Sequence, residues 1–316
     1  MRQDLLYKAR YEGSWALVIG INDYQHVPPL SYACHDAEAI TDLLISRFGF
    51  PADNVTTLSD QQACREAIMS AFLRFANDDV NEDDRVFVFF AGHGYTRTGR
   101  RGEVGYLVPA DGDPSNLATL VRWDDLTKNA DLFLAKHVLF VMDACYGGLA
   151  VARALAPGAS RFLKDMLRRY SRQVLTAGKA DEVVADCGGP RPGHSMFTGH
   201  LLDALEGGAA NADGIVAASA IMAYVYDRVA KDPMSGQSPH YGFLDGDGDF
   251  IFTAPNLNDL EGDEHVDHDI LLHVPSTAAP TPAPATPFLD LVKDYLSDSR
   301  YRIRLDDLTS STIRSL

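Results

Sequence analysis

Two stretches decide the architecture: Arg85-Val86-Phe87-Val88-Phe89-Phe90-Ala91-Gly92-His93-Gly94, and His137-Val138-Leu139-Phe140-Val141-Met142-Asp143-Ala144-Cys145-Tyr146-Gly147-Gly148. Each starts with one polar residue, runs through unbroken apolar positions and stops at small or turn-forming residues. A run this short that is apolar at every position predicts a strand covered on both faces, as in the middle of a parallel sheet. Trp15-Ala16-Leu17-Val18-Ile19-Gly20-Ile21 is a third such run and ends in an Asn-Asp turn. Weaker strand patterns occupy residues 54–58, 104–108, 173–176 and 249–252. Helical spacing lies between them. Residues 35–48 carry Ala37, Ile40, Leu43 and Leu44, and residues 60–75 carry Ala67, Ile68, Ala71 and Phe72. Residues 123–134, 195–205 and 217–229 are further helices. Strands alternating with helices predict an α/β sandwich around a mainly parallel sheet.

The ends of the first two runs carry chemistry. In such a sheet the carboxyl ends of the strands line the functional crevice, so neighbouring strands would bring His93 and Cys145 together there. A thiol is mostly protonated at neutral pH and needs a base. Imidazole titrates in that range and can return the proton to a leaving amine. The glycines beside His93 allow a close approach of substrate backbone. The backbone N–H groups of Gly94 and Cys145 are candidate oxyanion donors.

Composition narrows the rest. The chain has 316 residues, is 46% hydrophobic and carries a net charge of −16. That is globular material, and its acidity argues against nucleic acid as the main partner. No run approaches the length of a membrane span, and the amino-terminal residues lack the apolar core of a signal peptide, so a cytoplasmic protein without membrane contact is expected. The four cysteines, Cys34, Cys64, Cys145 and Cys187, form no C-x-x-C pair. Zinc and redox motifs are therefore not indicated, and free thiols are expected.

His-Gly after one apolar strand and Asp-Ala-Cys-x-Gly-Gly after another resembles the caspase superfamily, in its bacterial or metacaspase-type branch. The two residues are about fifty positions apart, the interval found in caspases. The resemblance runs from about Trp15 to Phe252. It takes in Val18-Ile19-Gly20-Ile21-Asn22-Asp23-Tyr24, Leu107-Val108-Pro109-Ala110-Asp111, Val174-Leu175-Thr176-Ala177-Gly178 and Phe197-Thr198. It implies a sandwich with a central, mainly parallel sheet of about six strands flanked by helices, and a cysteine endopeptidase with catalytic His93 and Cys145. Gln62-Ala63-Cys64-Arg65 imitates the animal caspase pentapeptide, but Glu66 stands where Gly is needed, the segment precedes His93, and it falls on a helix pattern. Cys64 is read as a packed or surface residue.

The resemblance also bears on the first specificity pocket. Animal caspases hold aspartate there with basic residues. One of them should fall at Leu30, which argues against cleavage after Asp. Metacaspases place carboxylates in that pocket, and the matching positions here are Asp36 and Asp143. A carboxylate pair would favour Arg or Lys through charge-assisted hydrogen bonds. As plain structural residues, Asp36 would compensate a helix amino terminus and Asp143 would be a turn residue. Residues 149–172, with Arg153, Arg161, Lys164, Arg168 and Arg169, fit either a self-cleavage loop or a helix with a solvated basic face.

No cofactor is required by this chemistry, although some metacaspases depend on calcium. Asp245-Gly246-Asp247-Gly248-Asp249 lacks the closing Glu of a calcium loop and reads as a Gly-rich turn before the last strand. His265, His268 and His273 read as a solvated acidic stretch. His137 opens a strand with no partner evident. The expected organisation is a protease domain at 1–253, with a large-subunit half at about 12–148, a connecting loop at 149–172 and a small-subunit half at 173–253. An acidic, then Pro/Ala/Thr-rich linker follows at 254–287, and an amphipathic tail at 288–316 fits either the start of another module or a helix that docks elsewhere. The expected partners are a protein or peptide substrate with a basic cleavage residue, and an activating partner or fused module, which the family often uses in stress or defence. The alternatives are a silent caspase-fold scaffold and a doubly wound small-ligand binder, the latter opposed by the missing Gly-rich phosphate fingerprint.

Overall fold

The computed structural model describes residues 10–253 without 78–79, 101, 147–165, 180–188, 213 and 233–234; the side chains of Cys145, Tyr146, Lys179 and Thr253 are also outside the description. The elements are β1 (Ser14–Gly20), α1 (Ala33–Ser46), β2 (Val55–Ser59), α2 (Arg65–Asn77), β3 (Arg85–Ala91), β4 (Gly94–Gly99) and β5 (Gly102–Leu107). They continue with β6 (Val121–Arg122), α3 (Trp123–Asn129), β7 (His137–Tyr146), β8 (Ser171–Lys179), α4 (Met196–Asp203), β9 (Val216–Ala217), α5 (Ala218–Lys231), β10 (His240–Gly246) and β11 (Ile251–Thr253).

The central sheet has six strands in the order β10-β8-β7-β3-β1-β2. β2, β1, β3, β7 and β8 are parallel, and β10 closes the edge antiparallel to β8. Side chains of a strand alternate between faces, and both faces here are apolar. Ala16, Val18, Phe87, Phe89, Leu139 and Val141 pack with Ile40, Leu44, Phe197, Leu201, Ile221 and Val225 of α1, α4 and α5. Leu17, Ile19, Val88, Phe90, Val138 and Phe140 pack with Ile68, Phe72, Trp123 and Leu126 of α2 and α3. The expected sandwich is therefore present, with helices on both sides of a mainly parallel sheet.

Gly20 allows α1 to follow β1 closely, because a Cβ there would lie 2.4 Å from the Ala33 carbonyl oxygen. Two buried cations fasten the sheet from below. The Arg85 guanidinium donates to the carbonyls of Phe48, Ile251 and Phe252 and to the Ser14 hydroxyl. Burial lowers its pKa to about 10. Arg172 donates to the carbonyls of Ala130, Phe133 and Ala135.

Several boundaries differ from the sequence expectation. β7 does not stop before Asp143. It continues through Tyr146, with a register shift against β8 between Met142 and Cys145. An irregularity of this kind inserts into a ladder without ending it, and it re-aims the residues beyond. The sixth strand of the sheet is β10, whose mixed sequence His240-Tyr241-Gly242-Phe243-Leu244-Asp245-Gly246 gives no apolar run; as an edge strand it has no need of one. Residues 249–252, expected as the last strand, lead into β11, which pairs with β9 in a separate two-stranded sheet. β4 and β5 form an exposed antiparallel hairpin directly after His93. His137 does have partners: the Tyr11 hydroxyl at Nδ1 (2.6 Å) and the Arg169 carbonyl at Nε2 (2.7 Å). The carboxylates of the Asp245–Asp249 stretch serve the fold. Asp249 accepts from Ser219 and Gln173, and Asp247 pairs with Arg169.

Candidate active site

β3 and β7 are in parallel register with Ala91 opposite Asp143, and the Gly92 N–H donates to the Asp143 carbonyl (3.2 Å). His93 and Cys145 therefore follow directly at the carboxyl ends of two adjacent central strands. The Cys145 backbone is in register with Gly178 of β8; its side chain lies outside the description.

His93 is held from three directions. Its N–H donates to the Tyr24 hydroxyl (2.8 Å), and its carbonyl accepts from Val108 N (2.9 Å). Its Nε2 faces the Pro28 carbonyl at 2.8 Å. A carbonyl can only accept, so the proton sits on Nε2 and the neutral ring keeps its lone pair on Nδ1. The Tyr24 ring lies against the imidazole with centroids 4.9 Å apart. Gly92 is required by this packing, since a Cβ there would be 2.5 Å from the Tyr24 hydroxyl oxygen. Gly94 opens β4 opposite Leu107, one residue beyond the imidazole.

Asp36 and Asp143 come from different elements and meet at one residue, Ser195. Asp36 is in the first turn of α1 and is 1% exposed; Asp143 is in β7 and is 4% exposed. The Ser195 N–H donates to the Asp36 carboxylate (3.3 and 3.4 Å), and its hydroxyl donates to Asp143 Oδ2. The Thr198 hydroxyl donates to the same Oδ2 (2.6 Å). Ser195 also caps α4 by accepting from Thr198 N (2.9 Å). Asp36 further takes a hydrogen bond from His194 Nδ1 (2.7 Å). The amino end of α4 thus supplies the donors that keep two buried carboxylates side by side. Burying anionic groups is tolerated only with such hydrogen bonds.

Of the basic residues expected in the connecting loop, Arg153, Arg161 and Lys164 lie outside the described residues. Arg168 is partly buried and Arg169 pairs with Asp247, both just before β8 and so at the end of the sheet opposite His93. Cys64 precedes α2 and is partly buried. Among the described residues no cluster of three or more His, Cys, Asp or Glu is arranged to hold a metal ion. Also among them, no helix is long and apolar enough to cross a membrane.

A family model described as the caspase domain matches residues 14–243. The chain belongs to the caspase family. The match takes in β1, β2, β3, β7 and β8 of the central sheet, with the ends of β3 and β7, and stops within β10. No curated protein sequence matches the chain. Among solved structures, a protein from Geobacter sulfurreducens superposes with a TM-score of 0.53 at 20% identity, covering 73% of this chain and 93% of that one. Caspase-1 from Spodoptera frugiperda superposes with a TM-score of 0.52 at 16% identity, covering 74% of this chain and 88% of that one. At such identities the likeness is one of fold, and it agrees with the mostly parallel six-stranded sheet.

Tyr24, Pro28, His194 and Ser195 are site residues that the sequence reading leaves without a role. Tyr24 stands in the opening motif, but its reach to His93 depends on the chain returning over β3. Pro28 contributes through its carbonyl, which any residue carries, so no side-chain signal marks it. Ser195 is legible as a helix cap, two residues before the apolar Phe197, but not as a bridge between carboxylates.

Proposed function

We propose that this caspase-family protein is a cysteine endopeptidase that uses Cys145 and His93 to cut peptide bonds after Arg or Lys. The observation that carries the reading is the β3–β7 register, which pairs Ala91 with Asp143 and so puts His93 and Cys145 two residues further along adjoining strands.

With Nε2–H held by Pro28, the Nδ1 lone pair of His93 is free to take the Cys145 proton. The thiolate forms a C–S bond with the scissile carbonyl carbon, and the C=O electron pair moves onto oxygen. Backbone N–H groups of Gly94 and Cys145 are the proposed donors to that oxyanion; loss of one such donor typically costs 100- to 1,000-fold in rate. Collapse breaks the C–N bond, and the amine leaves with the proton from His93. Water, deprotonated by the same Nδ1, then hydrolyses the thioester and restores the thiol.

The carboxylates of Asp36 and Asp143, buried and gathered around Ser195, support a pocket for a guanidinium or ammonium group. Two buried carboxylates held in one place by the amino end of α4 favour a cationic guest. Leu30, partly buried against the α1 face of the core, offers no positive charge for an acidic guest. Cleavage within the connecting loop at 149–172, and control by a partner or a further module, belong to the same proposal.

The test is a fluorogenic peptide panel with Arg, Lys or Asp at the cleaved position, with wild type and Cys145→Ala, in calcium and in chelator. Cleavage after Arg or Lys that disappears in Cys145→Ala is expected. Cleavage confined to Asp would overturn the pocket, and turnover retained in Cys145→Ala would overturn the dyad.

A further inference from the structure

We propose that His194 sets the charge of the Asp36/Asp143 pocket: protonation of its imidazole cancels one of the two negative charges that hold a basic side chain, so the pocket grips Arg or Lys at neutral pH and loosens in acid. The inference rests on the Arg/Lys reading of that pocket.

The geometry fixes which atom titrates. His194 Nδ1 is 2.7 Å from Asp36 Oδ1. An ionised carboxylate only accepts, so Nδ1 carries a proton in every state and Nε2 is the site that gains one. A proton at Nε2 converts a neutral donor into a cation in direct contact with Asp36. Both partners are shielded, with side chains 11% and 1% exposed, so solvent screens the new charge poorly.

The surroundings set where this happens. From α1, the His35 ring stacks on His194 with centroids 4.4 Å apart and planes at 15°. His35 Nδ1 is fixed on the Gly193 carbonyl (2.7 Å). Two stacked imidazolium rings repel, which resists a second proton. Within the loop itself, Arg191 is held by Asp203 of α4 (2.7 Å) and by Glu206 just beyond it (2.5 Å). From β7, Asp143 faces the site through Ser195. Further along α4, His200 faces Asp232. Burial, followed by the positive charges of His35 and Arg191, holds His194 below its ordinary value. The pocket therefore keeps both charges at neutral pH. Linkage makes the effect reciprocal: a cation in the pocket must lower the protonation midpoint of His194 further.

A purely structural His194 would tie its loop to α1 without linking substrate affinity to pH. The discriminating measurement is kcat and KM for an Arg peptide from about pH 7.5 to about pH 5, in wild type and His194→Asn, where titration of an imidazole falls inside the window. Asparagine keeps a donor near the Nδ1 position and cannot titrate. Wild-type KM is expected to rise about tenfold on acidification, the scale of one lost charge-assisted bond. KM should stay level in His194→Asn, with the kcat profile of the two proteins alike. The same rise in both would overturn the inference and leave the Arg/Lys reading standing. No cleavage after Arg or Lys at any pH, with no binding of benzamidine to the Cys145→Ala protein, would overturn the pocket and the inference together. If His194→Asn does not fold, NMR titration of His194 in Cys145→Ala, with and without benzamidine, decides. The midpoint should fall on binding, and an unmoved midpoint would overturn the inference.

Discussion

Replacing Asp143 by Asn removes one charge from the proposed pocket while leaving its frame. Asp143 is almost fully buried, and its Oδ2 accepts from the Ser195 and Thr198 hydroxyls, the latter at 2.6 Å. An Asn carbonyl can accept from the same two hydroxyls in the same place, so the loss in folding stability should stay under about 1 kcal/mol. Binding a guanidinium is a different matter. A hydrogen bond to a charged group contributes about 1.5–3 kcal/mol, which converts to roughly 10- to 150-fold in kcat/KM. The assay compares two matched peptides, one with Arg at the cleaved position and one with citrulline, its neutral isostere. Asp143→Asn should lower kcat/KM for the Arg peptide by the full factor and change the citrulline value little. An equal loss for both peptides would mean that Asp143 only supports the strand end, and no loss for Arg would remove it from the pocket.

Other consequences can be checked separately. Tyr24→Phe keeps the ring beside His93 but removes the acceptor for its N–H; kcat should fall about tenfold with KM nearly unchanged, since a small displacement of a catalytic group is costly. Gly92→Ala places a Cβ 2.5 Å from the Tyr24 oxygen and 2.9 Å from Phe90; thermal unfolding should show a loss of about 1–3 kcal/mol. Burial lowers the His137 pKa to about 3, against about 6.5 in the unfolded chain. Between those values only the unfolded state takes the proton, so stability is complete above the unfolded pKa and falls as pH drops below it, by up to about 1.4 kcal/mol per pH unit for this group. His194 and His200 are lowered as well and steepen the same slope. Urea unfolding of His137→Asn should show a shallower pH dependence than wild type from about pH 6.5 to about pH 4, and an unchanged slope would contradict this.

The central strands are legible because burial on both faces leaves a continuous apolar run, as in Val86 to Phe90 and Val138 to Met142. Their carboxyl ends then point to His93 and Cys145 without any coordinates. β10 and β4 are not legible, because an edge strand and an exposed hairpin need no apolar run. The continuation of β7 through Asp143 is hidden for a related reason: Asp and Gly signal a turn locally, while the pairing of Cys145 with Gly178 keeps the strand going. Asp36 and Asp143 stand out only through the family resemblance. Their meeting at Ser195 depends on α4 returning to the end of β7 from more than fifty residues along the chain, which no local pattern encodes. Tyr24 and the Pro28 carbonyl reach His93 through loop geometry, and His194 gains its role from a contact with α1 that spacing cannot suggest.

The most direct test is labelling of the full chain with a peptidyl-arginine acyloxymethyl ketone, followed by intact mass and peptide mapping. Cys34 makes a useful internal control: burial and its hydrogen bond to Asp60 push its thiol up to about 11, so it should stay unreactive. One adduct is predicted, on Cys145, at a rate reduced at least about 100-fold in His93→Ala and in a probe carrying Asp in place of Arg. Labelling at Cys34, Cys64 or Cys187, or labelling of Cys145 that ignores both His93 and the probe's charge, would contradict the proposed dyad and pocket.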